Sequence, residues 1–472
     1  KSKRKMMLEK YDFGLIGLGV MGKNFLLNVA DNGFAALGFD LDEEKVAELM
    51  AEKEDRKIMA TTSQKDFLSG LKSPRKIMLL VPAGKVVDDV IASLKPHLDR
   101  GDFIIDGGNS FFTDTDSRFK DLQKEGIHFF GSGVSGGAKG ARKGPSIMPG
   151  GDKSAYTHIQ PIFEAAAAKV NGEPCVAHLG NGSAGNYVKM VHNGIEYGMM
   201  QLISEVYDLM RKQMSMSNEA MESVFADWNK GKLASFLVEI TAEILAQKDD
   251  YSKGYLVDKI LDKAKQKGTG KWTSQNAMDL GIPIPTIDVS VSMREISALK
   301  DLRKQAEKIY GISSFNNESL SLSEVGDALY FAFIIAYAQG MHQLKEASST
   351  YAYELEMETI AKIWRGGCII RSAFLEDMRE AYQRDAALPH LLLDHEISEK
   401  LKQGYAAITK VVNVGITAGI PVSALSASLN YFNSFRNGSL PLNLIQAQRD
   451  HFGAHTYERT DQKGIFHTEW GS

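Results

Sequence analysis

Tyr11 to Ile16 is a short β-rich run that ends directly in Gly17-Leu18-Gly19-Val20-Met21-Gly22, and a helical pattern from about Met21 to Asn32 follows. A second β-rich run, Ala36 to Leu41, comes next. Glycines at that spacing between a strand and a helix let the turn close, and they let the backbone approach a pyrophosphate at the helix N-terminus. The first part of the chain is therefore committed to a βαβ unit of the dinucleotide-binding kind. Asp40 falls about twenty residues after the motif, where a carboxylate accepts hydrogen bonds from ribose hydroxyls. Asp42 follows it, and two carboxylates there repel a 2′-phosphate, so charge alone predicts NAD over NADP.

Strand and helix patterns continue to alternate: Lys76 to Val81, a helix after Pro82, Phe103 to Asp106, a helix around Thr113 to Lys124, then His128 to Phe130. Alternation of this kind predicts a mostly parallel sheet with helices on both faces. The expected strand ends carry Val81-Pro82-Ala83, Asp106-Gly107-Gly108-Asn109-Ser110, and the turn Gly131-Ser132-Gly133-Val134-Ser135-Gly136-Gly137. Ligands sit at such carboxyl ends in open α/β sheets, and the Ser135 hydroxyl with neighbouring backbone N–H groups suits a carboxylate or phosphate.

From Ala184 to about Asn437 helical patterns dominate, and an internal repeat with a period of about 140 residues is visible. Ile195, Tyr197 and Leu202 have counterparts in Ile335, Tyr337 and Leu344, and Trp228 with Gly231 echoes Trp364 with Gly367. One helix, Ala184 to Met210, has an unusual second face. Lys189, His192, Asn193, Glu196 and Tyr197 fall at i, i+3, i+4, i+7 and i+8, one stripe of a helix. The matching positions in the second copy are Leu329, Ala332, Phe333 and Ala336, all apolar. A stripe of polar groups where the architecture accepts a core is expected to face a ligand or a wet cleft, because unpaired buried polar groups are costly. Between the copies, Lys267-Gly268-Thr269-Gly270-Lys271-Trp272-Thr273 is a basic glycine-rich turn, and Arg294 follows in a helical segment beginning near Asp288. After Gly438 a short extension carries Arg449-Asp450-His451-Phe452-Gly453-Ala454-His455, which reads as a tail that docks on another subunit.

At 472 residues the chain needs two or three cores. A net charge of −4 gives no broad field for nucleic acid or an anionic membrane. Two cysteines, Cys175 and Cys368, make no disulfide framework and suit a reducing cytosol. No His/Cys cluster suggests a metal, and no run reaches the length of a membrane span. The basic start, Lys1 to Lys5, reads as a solvated end. A cytoplasmic protein is expected.

With these residues laid out, the chain resembles the decarboxylating 6-phosphogluconate dehydrogenase family along essentially its full length. The resemblance is carried by Gly17–Gly22, Asp106–Ser110, Val134–Gly137, Lys189–Tyr197, Lys267–Thr273 and the terminal Arg449–Arg459. It implies an α/β Rossmann-type coenzyme domain (10–183), a duplicated all-α domain (184–438), and a tail (439–472) that reaches the partner in a homodimer. It implies oxidation and decarboxylation of 6-phosphogluconate to ribulose 5-phosphate, without a metal. Lys189 is then the general base and Glu196 the general acid. Asn109, Ser135, Gly136, Gly137, His192, Asn193, Tyr197, Lys267 and Arg294 surround substrate, joined by Arg449 and His455 from the partner chain. Gly17, Leu18, Gly19, Val20, Met21, Gly22, Asp40, Leu41, Asp42, Val81, Pro82, Ala83 and Asn109 hold the coenzyme. Members that use NADP typically carry Asn-Arg-Thr where this chain has Asp40-Leu41-Asp42. Pro82 stands where a lysine is common, and Ala138-Lys139 where an acidic pair is. NAD is expected, with NADP as the alternative. Two rivals remain: a non-decarboxylating β-hydroxyacid dehydrogenase, which needs neither the duplicated domain nor the tail, and a non-enzymatic dinucleotide sensor, against which the Lys189/Glu196 pair argues.

Overall fold

The computed structural model describes residues 10–312 and 318–471, so the basic start Lys1 to Lys5 lies outside the described residues. Seven strands form one sheet in the order β3-β2-β1-β4-β5-β6-β7. They are β1 Phe13–Ile16, β2 Ala36–Phe39, β3 Ile58–Thr61, β4 Lys76–Leu79, β5 Phe103–Asp106, β6 His128–Ser135 and β7 Ser146–Gly150. Neighbours from β3 through β6 pair in parallel, and β6 pairs with β7 antiparallel. Parallel strands covered on both faces need apolar runs rather than alternation, which β1, β2 and β5 supply with every residue buried. Helices α1 Val20–Asp31, α2 Glu43–Ala51, α3 Lys85–Leu94, α4 Phe112–Lys124 and α5 Gly137–Lys143 lie among the connections. Two apolar clusters result, one around Phe13, Phe25 and Phe130, the other around Leu37, Phe67 and Ile104.

Three expectations need correction. The strand expected over Ala36 to Leu41 stops at Phe39, because the Asp40 carboxylate accepts the N–H groups of Leu18 and Asp42 at 2.8 and 3.0 Å and turns the chain into α2. The strand expected to Val81 stops at Leu79. Beyond it the Leu80 carbonyl lies 2.4 Å from where a Cβ on Gly17 would stand, so the backbone is drawn against the first glycine turn. Finally, the glycine-rich turn expected at 131–137 is mostly strand, since β6 runs to Ser135. Its glycines serve packing. A Cβ on Gly133 would lie 2.4 Å from Lys189 Cβ, and one on Gly131 would lie 2.0 Å from Asn186 Oδ1.

The helix that fills this space is α6, Ala184–Lys212. After it come α7 Asn218–Trp228, α8 Phe236–Ala246, α9 Thr269–Leu280 and α10 Pro285–Ala298. The succession of long helix and two shorter ones returns as α11 Leu322–Thr350, α12 Met357–Trp364 and α13 Phe374–Arg384, followed by α14 His395–Thr417 and α15 Ser423–Phe435. Both long helices have 29 residues, and Ser235 pairs with Ser372 in an isolated antiparallel bridge that joins the two copies. In α11 the positions Leu329, Ala332, Phe333 and Ala336 are core, none more than 2% exposed. The two helices start differently. Ser321 and Glu324 form a reciprocal capping box on α11, a device that stabilises by about 1 kcal/mol. Ser183 before α6 caps nothing and instead bonds the Tyr353 hydroxyl at 2.6 Å.

The terminal extension holds more structure than its sequence announced: α16 spans Leu442–Gly453, and Tyr457 pairs with Phe466 beyond it. No helix among the described residues is long and apolar enough to cross a membrane.

Candidate active site

The absent side chain of Gly133 decides where Lys189 goes. The lysine Cβ, Cγ and Cδ lie along the β6 backbone, and its ammonium donates to Asn193 Oδ1 at 2.5 Å. His192 shares that acceptor through Nδ1 at 3.1 Å. Its Nε2, left as the acceptor, stands 3.2 Å from the Ser135 hydroxyl. Ser135 in turn accepts the Ile369 N–H at 3.3 Å. A relay thus runs from the loop after α12, through the end of β6, into the polar stripe of α6. It fixes the imidazole tautomer with hydrogen on Nδ1.

These groups are enclosed. Lys189 is 6% exposed and His192 fully buried. Burial pushes Lys189 below its ordinary value against the opposing pull of Glu196. Burial, then the neighbouring Lys189 charge, pushes His192 well below its own and keeps it neutral. Glu196 is driven the other way: burial raises it, and Lys189 and Arg294 restrain the rise. Its carboxylate lies 4.0 Å from His192 Nδ1, the same ring nitrogen that shares Asn193 Oδ1 with Lys189, so base and acid meet at one edge of the imidazole. A lysine moved toward neutral and a carboxyl moved toward protonated are what proton transfer near neutral pH requires. We expect Gly133→Ala to lower kcat by about 10²-fold with the chain still folded, because displacing a reacting group by about 1 Å has that effect. Steady-state kinetics beside a thermal melt checks this; wild-type kcat would contradict it.

Toward the C-terminal side of the stripe, the Arg294 guanidinium lies over the Tyr197 ring at 3.5 Å. Arg294 also donates to the Lys265 carbonyl at 3.0 Å, tying α10 to the segment that leads to Lys267. Lys267 is exposed, just before Gly268, the φ +100° residue that begins α9. Gly270 packs flat on Tyr197. On the coenzyme side, Gly136 and Gly137 both have positive φ and open α5 directly after Ser135. Asn109 is exposed in the turn after β5, and two residues on Phe111 packs its ring 4.9 Å from Trp272. Ser135, Lys189, His192, Asn193 and Glu196 are thus one group, and Tyr197 with Arg294 borders it. Arg449 and His455 keep their contacts inside the tail: Arg449 donates to Gln446 at 3.0 Å, and His455 packs on Phe452.

Three participants are not legible in the sequence. Gly133 has the look of a turn residue. Ile369 lies 234 positions from Ser135, beyond any local pattern. Trp364, whose ring meets His192 at 5.6 Å, shows in the sequence only as half of a repeat.

The strand order changes direction between β1 and β4, and the glycine turn opens at that crevice. Gly17 has φ +98°, and a Cβ on Gly22 would fall 1.8 Å from the Gly17 carbonyl oxygen. Gly19 precedes α1 without a side-chain cap, and a Cβ on it would meet nothing within 4 Å. The helix therefore offers uncapped N–H groups across open space, which fits a pyrophosphate. Val20 and Leu41 are exposed at 67% and 81% beside this turn, as are Pro82 and Ala83, while Leu18, Met21 and Val81 are at least partly covered. Asp40 and Asp42 are less free than their sequence suggested. Asp40 holds two backbone N–H groups, Asp42 caps α2, and Lys45 lies 3.7 and 3.8 Å from the two carboxylates.

A parallel sheet with a glycine-turn nucleotide crevice, facing a buried lysine-histidine-carboxylate group on a helical domain, defines a nicotinamide-dinucleotide oxidoreductase. Residues 12–180 match the model of the NAD binding domain of 6-phosphogluconate dehydrogenase, and residues 185–470 match the C-terminal domain of the same enzyme. The chain belongs to the 6-phosphogluconate dehydrogenase family. It is 49% identical to the decarboxylating 6-phosphogluconate dehydrogenase of Lactococcus lactis subsp. lactis (strain IL1403), over 97% of this chain and 98% of that one. It is equally 49% identical to the NADP(+)-dependent, decarboxylating enzyme of Bacillus subtilis (strain 168), over 98% and 100%. The solved Plasmodium falciparum 6-phosphogluconate dehydrogenase, studied in its apo form and in complex with NADP+ and with 6-phosphogluconate, superposes with a TM-score of 0.94 at 45% identity. The match covers 97% of this chain and all of that one.

Proposed function

We propose that the protein oxidises and decarboxylates 6-phosphogluconate to ribulose 5-phosphate and carbon dioxide. The observation that carries the reading is the oppositely perturbed pair on α6, Lys189 lowered and Glu196 raised, brought together at the Nδ1 edge of a neutral His192. The nicotinamide, when bound, accepts the hydride from C3. Lys189, neutral, takes the proton of the C3 hydroxyl, and as an ammonium it then donates to the C3 keto oxygen while the carboxylate leaves as carbon dioxide. The β-keto acid delocalises the resulting electron pair without a metal. Glu196, protonated, delivers its proton to C1 of the enediol. The i, i+7 spacing separates the two backbone positions by roughly 10 Å along the axis, and the two long side chains converge on adjacent carbons, because C1 of the product is C2 of the substrate.

The Ser135-Gly136-Gly137 turn, His192 and Asn193 hold the substrate carboxylate and hydroxyls in this reading, and Asn109 lies between substrate and coenzyme. Tyr197, Lys267 and Arg294 hold the phosphate. Charge on a dianion supports this assignment, since the net charge of −4 supplies no general attraction. Arg449 and His455 complete the phosphate site of a second copy. Their exposure, and that of Leu442, Leu444, Ile445 and Phe452 on the same tail, supports a tail that docks across a homodimer.

The coenzyme is a nicotinamide dinucleotide, and NAD is the form we favour, from the Asp40 and Asp42 carboxylates. NADP has its own support in Lys45 beside both and in the NADP(+)-dependent relative. One assay tests substrate, reaction and coenzyme together. With 6-phosphogluconate, reduced nicotinamide and carbon dioxide are expected in equal amounts, with higher kcat/KM for NAD. Asp40→Asn with Leu41→Arg is expected to move the ratio of efficiencies toward NADP by at least about tenfold, the value of one well-placed charge contact. Reduced nicotinamide without carbon dioxide returns the reading to a non-decarboxylating dehydrogenase. Better use of NADP by wild type removes the charge argument alone.

A further inference from the structure

Among the described residues of the mostly exposed tail, one polar side chain is completely buried. Asp450 has no exposed surface, while Arg449, His451, Phe452 and His455 around it are all exposed. Its two oxygens accept four hydrogen bonds. Oδ1 takes the Thr456 N–H and His467 Nδ1, each at 2.9 Å. Oδ2 takes the Thr468 N–H at 3.1 Å and Trp470 Nε1 at 2.8 Å. Four donors from the turn after α16 and from the returning terminal segment thus converge on one carboxylate, fixing both against the helix.

What this fixes is a turn that the backbone does not favour. Ala454 and Thr456 both lie in the left-handed region, at φ 49° and 65°, and His455 is the residue between them. Non-glycine residues stay there only when their surroundings determine it, and the Thr456 N–H bond to Asp450 is that determinant. A second thread leads to the arginine. The Thr456 carbonyl accepts from Gln446 Nε2 at 2.6 Å, and Gln446 Oε1 accepts from Arg449 at 3.0 Å. His455 and Arg449 are therefore both aimed from one point.

We propose that Asp450 is a positioning residue for the substrate phosphate, holding Arg449 and His455 in their binding arrangement before the tail meets the site of a second copy. This rests on the reading that the tail's Arg449 and His455 bind that phosphate. Shape set in advance lowers the ordering cost of binding, so its loss falls on substrate affinity rather than on the chemical step.

The test uses the full-length protein in its native oligomeric state, checked by sedimentation. Asp450→Asn replaces an acceptor with a donor against the hub. It is expected to raise KM for 6-phosphogluconate about tenfold, with kcat within about twofold and coenzyme KM unchanged. Added to Arg449→Ala with His455→Ala, it is expected to raise KM by less than about twofold more, since residues acting as a unit are not additive. If the Arg449/His455 pair of substitutions leaves KM unchanged, the reading of the tail fails. If that pair raises KM but Asp450→Asn does not, or multiplies it independently, the positioning role is overturned. Should Asp450→Asn dissociate the oligomer, Gln446→Met decides, because it cuts the link to Arg449 and leaves the carboxylate alone: a KM raised severalfold supports the proposal, and an unchanged KM overturns it.

Discussion

Lys189→Met is expected to abolish turnover, lowering kcat by about 10⁴-fold or more, while 6-phosphogluconate still binds. Methionine keeps an unbranched apolar stem against Gly133 and lacks the ammonium, so the α6–β6 packing survives. The size of the loss follows from two duties on one nitrogen: it accepts the hydroxyl proton and later returns one to the keto oxygen. An unperturbed lysine titrates near ~10.4 and is a poor base at neutrality. Burial moves Lys189 downward, and only the neutral amine can start the reaction. The sign for pH follows directly: kcat/KM rises with pH through the lowered Lys189 value, and this acid limb lies below the ordinary lysine range. Residual activity above a few per cent, or loss of substrate binding in calorimetry, would point to a different base.

How far the sequence reaches can be judged at particular residues. The glycine motif and its flanking strand announced the nucleotide crevice because their spacing is local and is dictated by one turn. The polar stripe of α6 became informative only beside its apolar counterpart in α11, where Leu329, Ala332, Phe333 and Ala336 prove to be core. Within the stripe Lys189, His192 and Asn193 are buried and bond one another, with Ser135.

What stayed hidden was of a different physical kind. Gly131 and Gly133 look like turn residues in sequence, yet they sit inside β6 because a helix passes over them. The Ser135–Ile369 contact joins distant segments. The charge at Asp40 looked simple until α2 brought Lys45 within 3.7 Å, a consequence of one helical turn beyond the strand end. The interior of the tail was invisible because its organiser, Asp450, resembles any surface acid in a polar stretch.

The second large effect concerns Glu196. Glu196→Gln preserves shape and hydrogen-bonding capacity and removes the transferable proton, so protonation at C1 is expected to slow by about 10³-fold. Burial raises Glu196, which keeps the acid protonated at higher pH than a free carboxyl, and the loss of that proton marks the alkaline side of its usefulness. Oxidation at C3 depends on Lys189 and is expected to suffer much less, so the variant separates two steps that wild type runs together.

The division of labour along α6 is therefore tested most directly by exchange of solvent tritium into C1 of ribulose 5-phosphate, compared between wild type and Glu196→Gln at equal enzyme concentration. Rapid exchange in wild type and near-complete loss in the variant is the predicted result. Exchange at the wild-type rate in Glu196→Gln would contradict the assignment and show that another group delivers the proton.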